Sequence, residues 1–383
     1  MRKAIDVIML VDHDFESDIR VEKEAQSLSS SGINVQVLAL TSTDLPETEG
    51  REDYSILRCI DSSILHPLRN DYSRAEQSLK EIILDKNPTI LHIHDFRLLG
   101  IVPILKNECP NLYVTYDSHE FLKGWPFYKE IPSFINRMKG FFVWNELLRK
   151  EKRGKAMCEL ILAPSASILQ RQLKHTNALG LVLRNIPRRS NSDSEIYIQT
   201  NEGEKINLLM IGNIYMPNEI LHGFIQYIEA SSQYELYISG NRSQHKALKA
   251  QYNKAKCIHF LPYNSQNNLN LSRQADIGIA YTRSDEYLAH KIGSSNRLME
   301  YSMAKLPILG SQQDSHAHFA KKYGHIVMFE SGNLSSLIDK LNVLTSNLPQ
   351  YQAKARLIED LSWDLEIKPL IKEYQSRLMI SVN

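Results

Sequence analysis

The chain has 383 residues, more than the roughly 100–200 of a typical single domain, so we expect two compact domains. Its composition of 43% hydrophobic, 23% charged and 8% aromatic residues is typical of globular proteins and excludes disorder, collagen-like repeats and coiled coils. Because 45 Lys and Arg against 44 Asp and Glu leave a net charge of +1, the whole molecule has no field that would recruit nucleic acid.

The cysteines and the N-terminus favour a cytoplasmic protein. The four cysteines form no CxxC pair, so we expect neither a zinc site nor a disulfide framework. Asp6 interrupts the apolar stretch 4–11, and charged residues follow where a cleavage site would need small ones. We therefore predict a first strand rather than a signal peptide. No apolar run approaches the roughly 18 residues of a membrane span.

Short β-branched runs alternate with amphipathic segments in the first half of the chain. The first helix carries an apolar stripe, with Ser17 as its expected N-cap and Gly32 as its expected end. This repetition of strand and helix predicts a mainly parallel sheet. The predicted strands cover 5–11, 34–40, 89–94, 112–117, 159–165 and 181–187, and the predicted helices 18–30, 97–107, 132–156 and 165–175.

A second series of the same kind follows the polar segment 188–204, which suits a linker or surface loop. The sequence thus predicts two βα domains, and ligands of open parallel sheets bind beyond the carboxyl ends of the strands. Two such domains facing each other would make an interdomain cleft. The predicted strands cover 206–212, 234–240, 258–263, 277–282 and 307–311; the helices cover 218–231, 244–254, 267–275 and 295–304, with further helices to the C-terminus.

The loop after the first strand, DHDFESDIR, contains no glycine. It is therefore not a GxGxxG dinucleotide loop, and a nicotinamide or flavin cofactor is not expected. Asp18 and Arg20 could bind a substrate at this position. Alternatively they cap and salt-bridge the following helix.

Polar residues also end the next two strands of the first domain. Strand alternation puts His92 and His94 on one face, but no third ligand stands at a diagnostic spacing, so we expect no metal. A polar residue after a strand can point into a cleft, and the alternative for a lone histidine is a structural role. The segment after strand 112–117 offers Asp117, Ser118, His119 and Glu120.

In the second domain, GSSNRLMEY begins a helix after strand 277–282. The dipole of that helix favours a phosphate at its start, and Glu300, one turn inside, could accept hydrogen bonds from two ribose hydroxyls. The alternative is an ordinary capped helix with a surface glutamate. The unpaired backbone N–H groups that would face the phosphate belong to Ser294, Ser295 and Asn296, followed by Arg297.

The order of these segments resembles the GT-B-fold retaining glycosyltransferases of family 4, which use nucleotide sugars to build surface polysaccharides, lipopolysaccharides and glycolipids. SDIRVEKEAQSLSSSGINVQVLAL, LHIHD, TYDSHEF, RNIP, ADIGIA and SNRLMEYSMAKLPILGS carry the resemblance, which spans nearly the whole chain. It implies two Rossmann-like domains facing a cleft, with residues 1–187 binding the acceptor and 188–362 the nucleotide sugar. The final segment, 363–383, resembles the family's terminal helix, which packs back on the N-terminal domain.

The resemblance also implies roles for individual residues. His119 matches the histidine that reaches the donor sugar, and Glu300 matches the glutamate that binds the ribose. Residues 294–296 match the turn that faces the diphosphate, while Asp18 and Arg20 match the family's first-loop element. No metal is needed, because backbone amides and basic side chains neutralise the leaving diphosphate. We also place His94, Asp95 and Glu120 on the acceptor side.

Several positions depart from the family pattern. Ile292 stands where the family has a first glutamate, leaving Asp285 or Glu286 as substitutes. After Gly212, the chain has Asn213 and Glu219 in place of an arginine and a lysine. Lys305 stands where the family's helix usually ends in glycine. The basic residues that would have to supply the diphosphate's counter-charge are Arg242, Arg283, Lys291 and Arg297.

The resemblance therefore implies a retaining hexosyltransferase that moves a sugar from a UDP- or GDP-linked donor to a hydroxyl of a glycan or lipid-linked acceptor. The departures keep open a non-catalytic GT-B partner subunit that has lost donor binding. A UDP-sugar 2-epimerase is the third alternative, disfavoured by the SNRLMEY arrangement.

Segment 137–155 carries seven basic and two acidic residues, a net charge of 7 − 2 = +5, with aromatic residues embedded in it. Such a segment can lie on an anionic membrane surface, here the inner face of the membrane. The alternative is a solvated helix whose aromatic side chains face the core.

Overall fold

The computed structural model describes residues 5–16, 18–41, 44–61, 72–124, 126–188, 198, 205–240, 242–262, 267–282 and 288–382. Contacts divide the chain into two compact units. The first holds Met1–Arg184 and Ile367–Asn383, and the second holds Asn185–Glu366. Ser17 and most of the predicted linker 188–204 lie outside the described residues.

The first unit is built on an eight-stranded sheet in the order β3-β4-β2-β1-β5-β6-β7-β8. All neighbours are parallel except β3, which pairs antiparallel with β4. The central strands β1, β5 and β6 are buried at every position: β1 is a continuous apolar run, whereas β5 and β6 also bury polar side chains. The strands are β1 (Val7–Leu10), β2 (Val35–Thr41), β3 (Thr48–Gly50), β4 (Ser55–Asp61), β5 (Ile90–His94), β6 (Tyr113–Asp117), β7 (Leu160–Ala163) and β8 (Leu179–Val182).

Helices cover this sheet and bury their apolar stripes against it. Val21, Ala25 and Leu28 on the first helix are fully buried, as their spacing predicts. The helices are α1 (Ile19–Ser30), α2 (Tyr72–Lys86), α3 (Ile101–Glu108), α4 (Phe134–Lys155) and α5 (Ala166–Gln172), with 3-10 turns at Leu122–Gly124 and Phe127–Glu130.

The C-terminal helix α15 (Lys368–Val382) belongs to the first unit. Tyr374 is fully buried, and its hydroxyl donates to Thr115 Oγ1 at 2.9 Å. The Tyr113 hydroxyl donates to Glu373 Oε1 at 2.7 Å. These bonds hold α15 against strand β6, so the prediction that the terminal helix packs on the N-terminal domain is confirmed.

The second unit contains a six-stranded, wholly parallel sheet in the order β11-β10-β9-β12-β13-β14. This is the doubly wound arrangement, in which the strand order reverses between the first and fourth strands, here β9 and β12. Ligands of such sheets bind outside the carboxyl ends of the strands at that point. The strands are β9 (Ile206–Ile211), β10 (Tyr234–Ser239), β11 (Ile258–Phe260), β12 (Ile277–Ala280), β13 (Ile308–Ser311) and β14 (Ile326–Phe329).

One buried side chain fixes a helix of this unit to the strand at the reversal. The Tyr301 hydroxyl donates to Leu209 O at 2.9 Å and accepts from the Ile211 N–H at 3.2 Å. Its helix is therefore tied to β9. The helices are α6 (Asn218–Ala230), α7 (Arg242–Gln251), α8 (Asn268–Gln274), α9 (Leu288–Ile292), α10 (Asn296–Met303), α11 (Asp314–Tyr323), α12 (Leu334–Ser346), α13 (Leu348–Arg356) and α14 (Trp363–Glu366).

The predicted class, an α/β chain with two Rossmann-like domains, is confirmed, while several elements differ. The sequence analysis placed no element between residues 41 and 88, where β3, β4 and α2 lie, and it placed only helices where β14 lies. The predicted strand 181–187 is the shorter β8, and the predicted helix 97–107 begins only at Ile101. No helix in the described part of the chain is long and apolar enough to cross a bilayer.

Candidate active site

Two neighbouring strands of the first unit, β5 and β6, end in a cluster of histidines and carboxylates. Strands β1, β5 and β6 lie side by side and parallel, so their carboxyl ends meet at one edge of the sheet. That edge brings His94 and Asp95 from β5 together with Asp117 and His119 from β6, as the sequence predicts. We call these four residues the histidine–aspartate cluster.

The Asp117 carboxylate is the centre of the cluster. Arg20 donates from Nε to Oδ2 at 2.8 Å and from Nη2 to Oδ1 at 2.7 Å. His119 Nε2 lies 3.1 Å from Oδ2, and His94 Nδ1 lies 3.4 Å from it. Burial alone would raise the pKa of Asp117, but the Arg20 guanidinium and then His119 hold it well below its usual range. Asp117 is therefore a permanent anion.

His119 lies between two carboxylates and is partly exposed, at 19% of its side chain. Its Nδ1 is 3.4 Å from Asp95 Oδ2, opposite the contact of Nε2 with Asp117. Burial would lower the pKa of His119, but the carboxylates of Asp95 and then Asp117 raise it to about 9. At neutral pH His119 is thus an imidazolium. Both ring N–H groups face carboxylates, so His119 can stabilise a departing phosphate through the positive charge of its ring.

Behind the cluster lies a second layer of buried polar groups. The His92 and His94 rings stack at 4.3 Å, as strand alternation predicts, and Glu24 Oε2 lies 3.7 Å from His92 Nε2. Burial, followed by the Asp117 carboxylate, raises the pKa of Glu24 to about 8. Burial, and then His94, lowers the pKa of His92 well below its usual value. Glu24 was missed by the sequence analysis, although its i, i+4 spacing from Arg20 is the signal that could have found it.

Glu24, His92, His94 and Asp117 together offer the nitrogen and oxygen ligands of a metal site, with ligand atoms within 4.8 Å of one another. The guanidinium of Arg20, however, already contacts Asp117 and reaches Glu24 Oε1 at 3.2 Å. The Arg20 guanidinium therefore already pairs with two of the four candidate metal ligands, Asp117 and Glu24. A divalent ion would have to compete with it for the same carboxylates.

The first loop follows the capping alternative. Asp18 is the N-cap of α1 and accepts from the N–H groups of Arg20 and Val21 at 3.0 and 3.1 Å. Arg20 Nη1 donates to Leu183 O at 2.9 Å, so the guanidinium is bound within the first unit on all sides. The geometry thus gives Asp18 and Arg20 structural tasks at the cluster, and Arg20 positions Asp117. The Glu120 side chain, on the other flank, is exposed.

In the second unit, a tight turn follows β9 at the reversal point. Gly212 has φ +74°, a left-handed conformation that favours glycine, and its N–H donates to Ser239 O at 2.8 Å. Asn213 is exposed, and its Nδ2 donates to the Tyr215 hydroxyl at 3.3 Å. The turn therefore carries an aromatic and an amide side chain rather than the basic pair of the resembled family.

Helix α10 presents its first turn beside this loop. Arg297 is only 7% exposed, its guanidinium lies over the Tyr215 ring at 5.5 Å, and its buried Nη1 has no hydrogen-bond partner among the described residues. Burial lowers the pKa of Arg297. One turn on, Glu300 Oε1 accepts from Asn268 Nδ2 at 3.0 Å. The loop residue Tyr215 and the helix residue Asn268 carried no motif in the sequence.

The remaining donor-side residues are dispersed. Asn296 Oδ1 accepts from Asn185 Nδ2 at 3.1 Å, and Ser295 is the N-cap of α10 without a side-chain cap bond. Ser294 is half-buried, and Lys291 is exposed. Ile292, which stands at the position of the family's first glutamate, is buried. Arg242 begins α7, while Arg283, Asp285 and Glu286 lie outside the described residues.

Comparisons with known proteins agree with this architecture. No protein-family model and no curated protein matches the chain. Among solved structures, a sucrose-phosphate synthase from Thermosynechococcus elongatus matches with a TM-score of 0.69 at 13% identity, covering 99% of this chain and 100% of that one. An E. coli trehalose-6-phosphate protein bound with UDP-2-fluoro glucose matches with a TM-score of 0.62 at 11% identity, covering 98% of both chains.

A third similar structure is that of a protein from Listeria monocytogenes assigned as a UDP-N-acetylglucosamine 2-epimerase. Its TM-score is 0.64 at 14% identity, and the match covers 98% of this chain and 97% of that one. Sequence identities this low establish shared architecture only. The chain has the two-domain GT-B fold along its full length.

Proposed function

We propose that this protein is a retaining glycosyltransferase that moves a hexose-type sugar from a nucleoside-diphosphate sugar to an acceptor hydroxyl. The observation that carries the proposal is the buried Arg297 guanidinium with an unpartnered Nη1, at the first turn of α10 and beside the sheet reversal. A buried N–H without an acceptor costs free energy, so this position favours an anionic ligand. The neighbouring Glu300 carboxylate suits a pair of ribose hydroxyls.

The donor-binding residues divide the nucleotide between them. Arg297 and the backbone N–H groups at the start of α10 bind the diphosphate. They take over the task of the family's arginine and lysine, whose positions Asn213 and Glu219 occupy here. Glu300 binds the ribose. Gly212 lets the turn after β9 approach closely without a side chain. No metal is required in this scheme, because fixed N–H groups and one guanidinium neutralise the phosphate charge that develops as the glycosidic bond breaks.

The acceptor side follows from the charge of the histidine–aspartate cluster. His119 stabilises the leaving phosphate through the positive charge of its ring, while Asp95 and Asp117 keep it protonated. His94 Nδ1 lies 3.2 Å from His119 Nε2 and so contacts the His119 ring from the buried side. The acceptor that we propose is a glycan or a lipid-linked glycan of surface polysaccharide or lipopolysaccharide synthesis. The resemblance to family 4 supports this choice, as it does retention.

Turnover of UDP- and GDP-sugars tests the assignment, after a thermal-shift screen has selected the donor. We expect Arg297→Met and Glu300→Gln each to lower kcat/KM roughly ten- to a hundredfold, because each loses charge-assisted hydrogen bonds to the nucleotide. His119→Gln should lower kcat about a hundredfold or more. Arg273→Ala, an exposed arginine on α8, is the matched control and should keep full activity. Unchanged turnover in all three site variants would contradict the proposal.

A non-catalytic partner subunit is the second candidate, favoured by the burial of Ile292 at the position of the missing carboxylate. Calorimetry separates the two, since such a subunit would bind none of the UDP-, GDP- and CMP-sugars. The epimerase alternative rests on the third similar structure. It predicts an epimeric nucleotide sugar formed without any acceptor, which product analysis would detect.

The peripheral membrane location indicated by segment 137–155 is a separate proposal, which concerns the outer side of helix α4.

A further inference from the structure

Large apolar side chains project from the first two turns and a half of α4. Phe134 is 74% exposed, Ile135 67% and Phe142 66%, with Met138 and Phe141 less so. At about 100° per residue, these positions fall on one side of the helix. We call the five residues the apolar patch. Scattered single apolar residues on a surface need no explanation, but a contiguous group of this kind marks an interaction site.

The opposite side of α4 is fixed to the first unit, so the patch cannot turn inward. Val143 and Leu147 are buried in the core. Two glycines allow a close approach: a Cβ at Gly154 would lie 2.2 Å from Leu99 O, and one at Gly140 would lie 2.8 Å from Ile131 Cδ1. The patch therefore faces outward as a consequence of packing.

Basic residues continue the same side of the helix beyond the patch. Arg149, Lys152 and Arg153 are exposed and lie in the angular range of Phe134 to Phe142, while Arg137 and Lys139 flank the patch. The only acidic side chain on the outer side of Phe134–Lys155 is Glu146, which pairs with Arg149 at 3.4 Å. The outer side of α4 is thus apolar at its start and cationic at its end.

The structure also removes two lysines, a valine and a tryptophan from the surface that the sequence predicts. Lys150 donates to Glu76 Oε2 at 2.8 Å, and Lys155 donates to Gln172 Oε1 at 3.0 Å, so both point away from the outer side. Val143 is buried, and the Trp144 ring packs on Tyr128 at 5.3 Å. The surface formed by the apolar patch and the exposed cations therefore begins at Phe134, ahead of the predicted segment 137–155.

We propose that the outer side of α4 docks the protein on an anionic lipid bilayer, with the apolar patch entering the boundary between headgroups and acyl chains. Binding to such a surface grows with the apolar area buried, about 5–10 Å deep, and with the attraction of neighbouring cations to anionic headgroups, and α4 offers both on one side. The cations select anionic lipid. A second copy of the chain fits less well, because a two-fold contact would bring the same cations together.

Flotation of the full chain with vesicles tests the proposal, using phosphatidylcholine with phosphatidylglycerol in equal parts against phosphatidylcholine alone. We expect flotation only with the anionic vesicles, and less of it at high salt. The triple variant F134S/I135S/F142S should remain at the bottom of the gradient. R149A/K152A/R153A should bind roughly a hundredfold more weakly, since each charge near the surface contributes separately. L357S, an equally exposed leucine of the second unit, and K249A are the matched controls.

Folding and sugar transfer are measured on the same samples. Thermal unfolding shows whether the variants remain native, and turnover of a water-soluble acceptor reports catalysis independently of membrane binding. A native wild type that fails to float with anionic vesicles would overturn the docking proposal, whatever its activity. So would flotation of the apolar variant equal to wild type. A dimer in light scattering that F134S/I135S/F142S dissociates, without flotation, would assign the patch to self-association instead.

Discussion

Arg20 is the cation on which the buried charges of the first unit depend. It neutralises Asp117 through two short hydrogen bonds, and it also contacts Glu24 and Leu183 O. Without it, the buried Asp117 carboxylate would lose its guanidinium partner and keep His119 as its cationic contact. His119 is the partly exposed residue that depends on this arrangement, because the Asp117 anion that Arg20 stabilises also helps to keep His119 protonated.

Replacing Arg20 tests its role as a positioning residue. We expect Arg20→Ala to lower the free energy of unfolding by about 3–5 kcal/mol, because it leaves a buried carboxylate without its ion partner. Urea unfolding followed by circular dichroism measures this change. Arg149→Ala is the control, since its pair with Glu146 is exposed and contributes about 1 kcal/mol or less. A loss no greater than that of the control would refute the role.

Where Arg20→Ala remains folded, the charge of His119 provides a second readout. If Arg20 acted on His119 only through its charge, its removal would raise the pKa of His119 further, because that charge lowers it. If Arg20 also positions Asp117, the pKa of His119 should fall instead, because the partner carboxylate moves away.

The titration of His119 has a predictable direction. Its folded pKa, about 9, is above its ordinary value of 6.5. Its protonation therefore stabilises the fold fully below about pH 6.5, and this contribution is lost as the pH rises through about 9. We expect the imidazole resonance of His119, assigned by its loss in His119→Gln, to titrate near pH 9, and kcat/KM to fall over the same range. A midpoint near 6.5 would show that the two aspartates do not hold the proton.

Sequence reasoning could find part of this site. His94, Asp95, Asp117 and His119 follow two strands, and the ends of parallel neighbours must meet, so their grouping was predictable. Glu24 was missed: its i, i+4 spacing from Arg20 indicates a pair, but its carboxylate comes next to the cluster only through the packing of α1 on the sheet. Conversely, Arg20 matched a substrate-binding element by sequence, whereas its hydrogen bonds are all internal.

At the scale of elements, short apolar runs decide what the sequence predicts. Strands such as β9 and β10 were found because each is a short run rich in large apolar residues that is followed by a glycine. Strand β14 was missed because its four residues, IVMF, follow a helix closely and are too short to show a period. Segment 41–88 contains the short antiparallel pair β3 and β4, whose pairing is set by contacts between strands.

Helix α10 ends with a residue of the wrong type for its conformation. Lys305, which follows the C-cap Ala304, has φ +59°, where the resembled family has glycine. We expect Lys305→Gly to raise the free energy of unfolding by about 1 kcal/mol, because glycine adopts this conformation without a Cβ clash. The contact of its Nζ with Arg356 O is exposed and costs little to lose. Thermal unfolding measures the gain.

The adjacent residue provides the matched control. Ala304 has φ −71°, which alanine adopts readily, so Ala304→Gly should lower stability by about 0.5–1 kcal/mol. Opposite signs for the two substitutions would establish that backbone conformation is the cause. A decrease with both would mean that the Lys305 side chain contributes more than its backbone costs.

At the scale of the whole molecule, the chain leaves the first unit at Arg184 and returns to it at Ile367. The first unit is therefore discontinuous in sequence, and its last helix is held by side chains of β6, the strand that carries Asp117. Tyr374 links the two: its hydroxyl bonds Thr115, and its ring meets the edge of His92 at 6.0 Å. The stability of the first unit, and the support of its cluster, should thus depend on the C-terminus.

Substituting Tyr374 tests this dependence. We expect Tyr374→Ala to lower the stability of the first unit by about 3–5 kcal/mol, because it empties a fully buried aromatic position and leaves the Thr115 hydroxyl without its partner. Hydrogen exchange measured by mass spectrometry should show faster exchange in peptides from β5 and β6 and unchanged exchange in β9 and β12. Met379→Ala, an exposed position on the same helix, should leave both sets unchanged. Equal acceleration in both units would mean that they unfold as one cooperative body, and the C-terminal helix would then stabilise the whole chain rather than the unit it contacts.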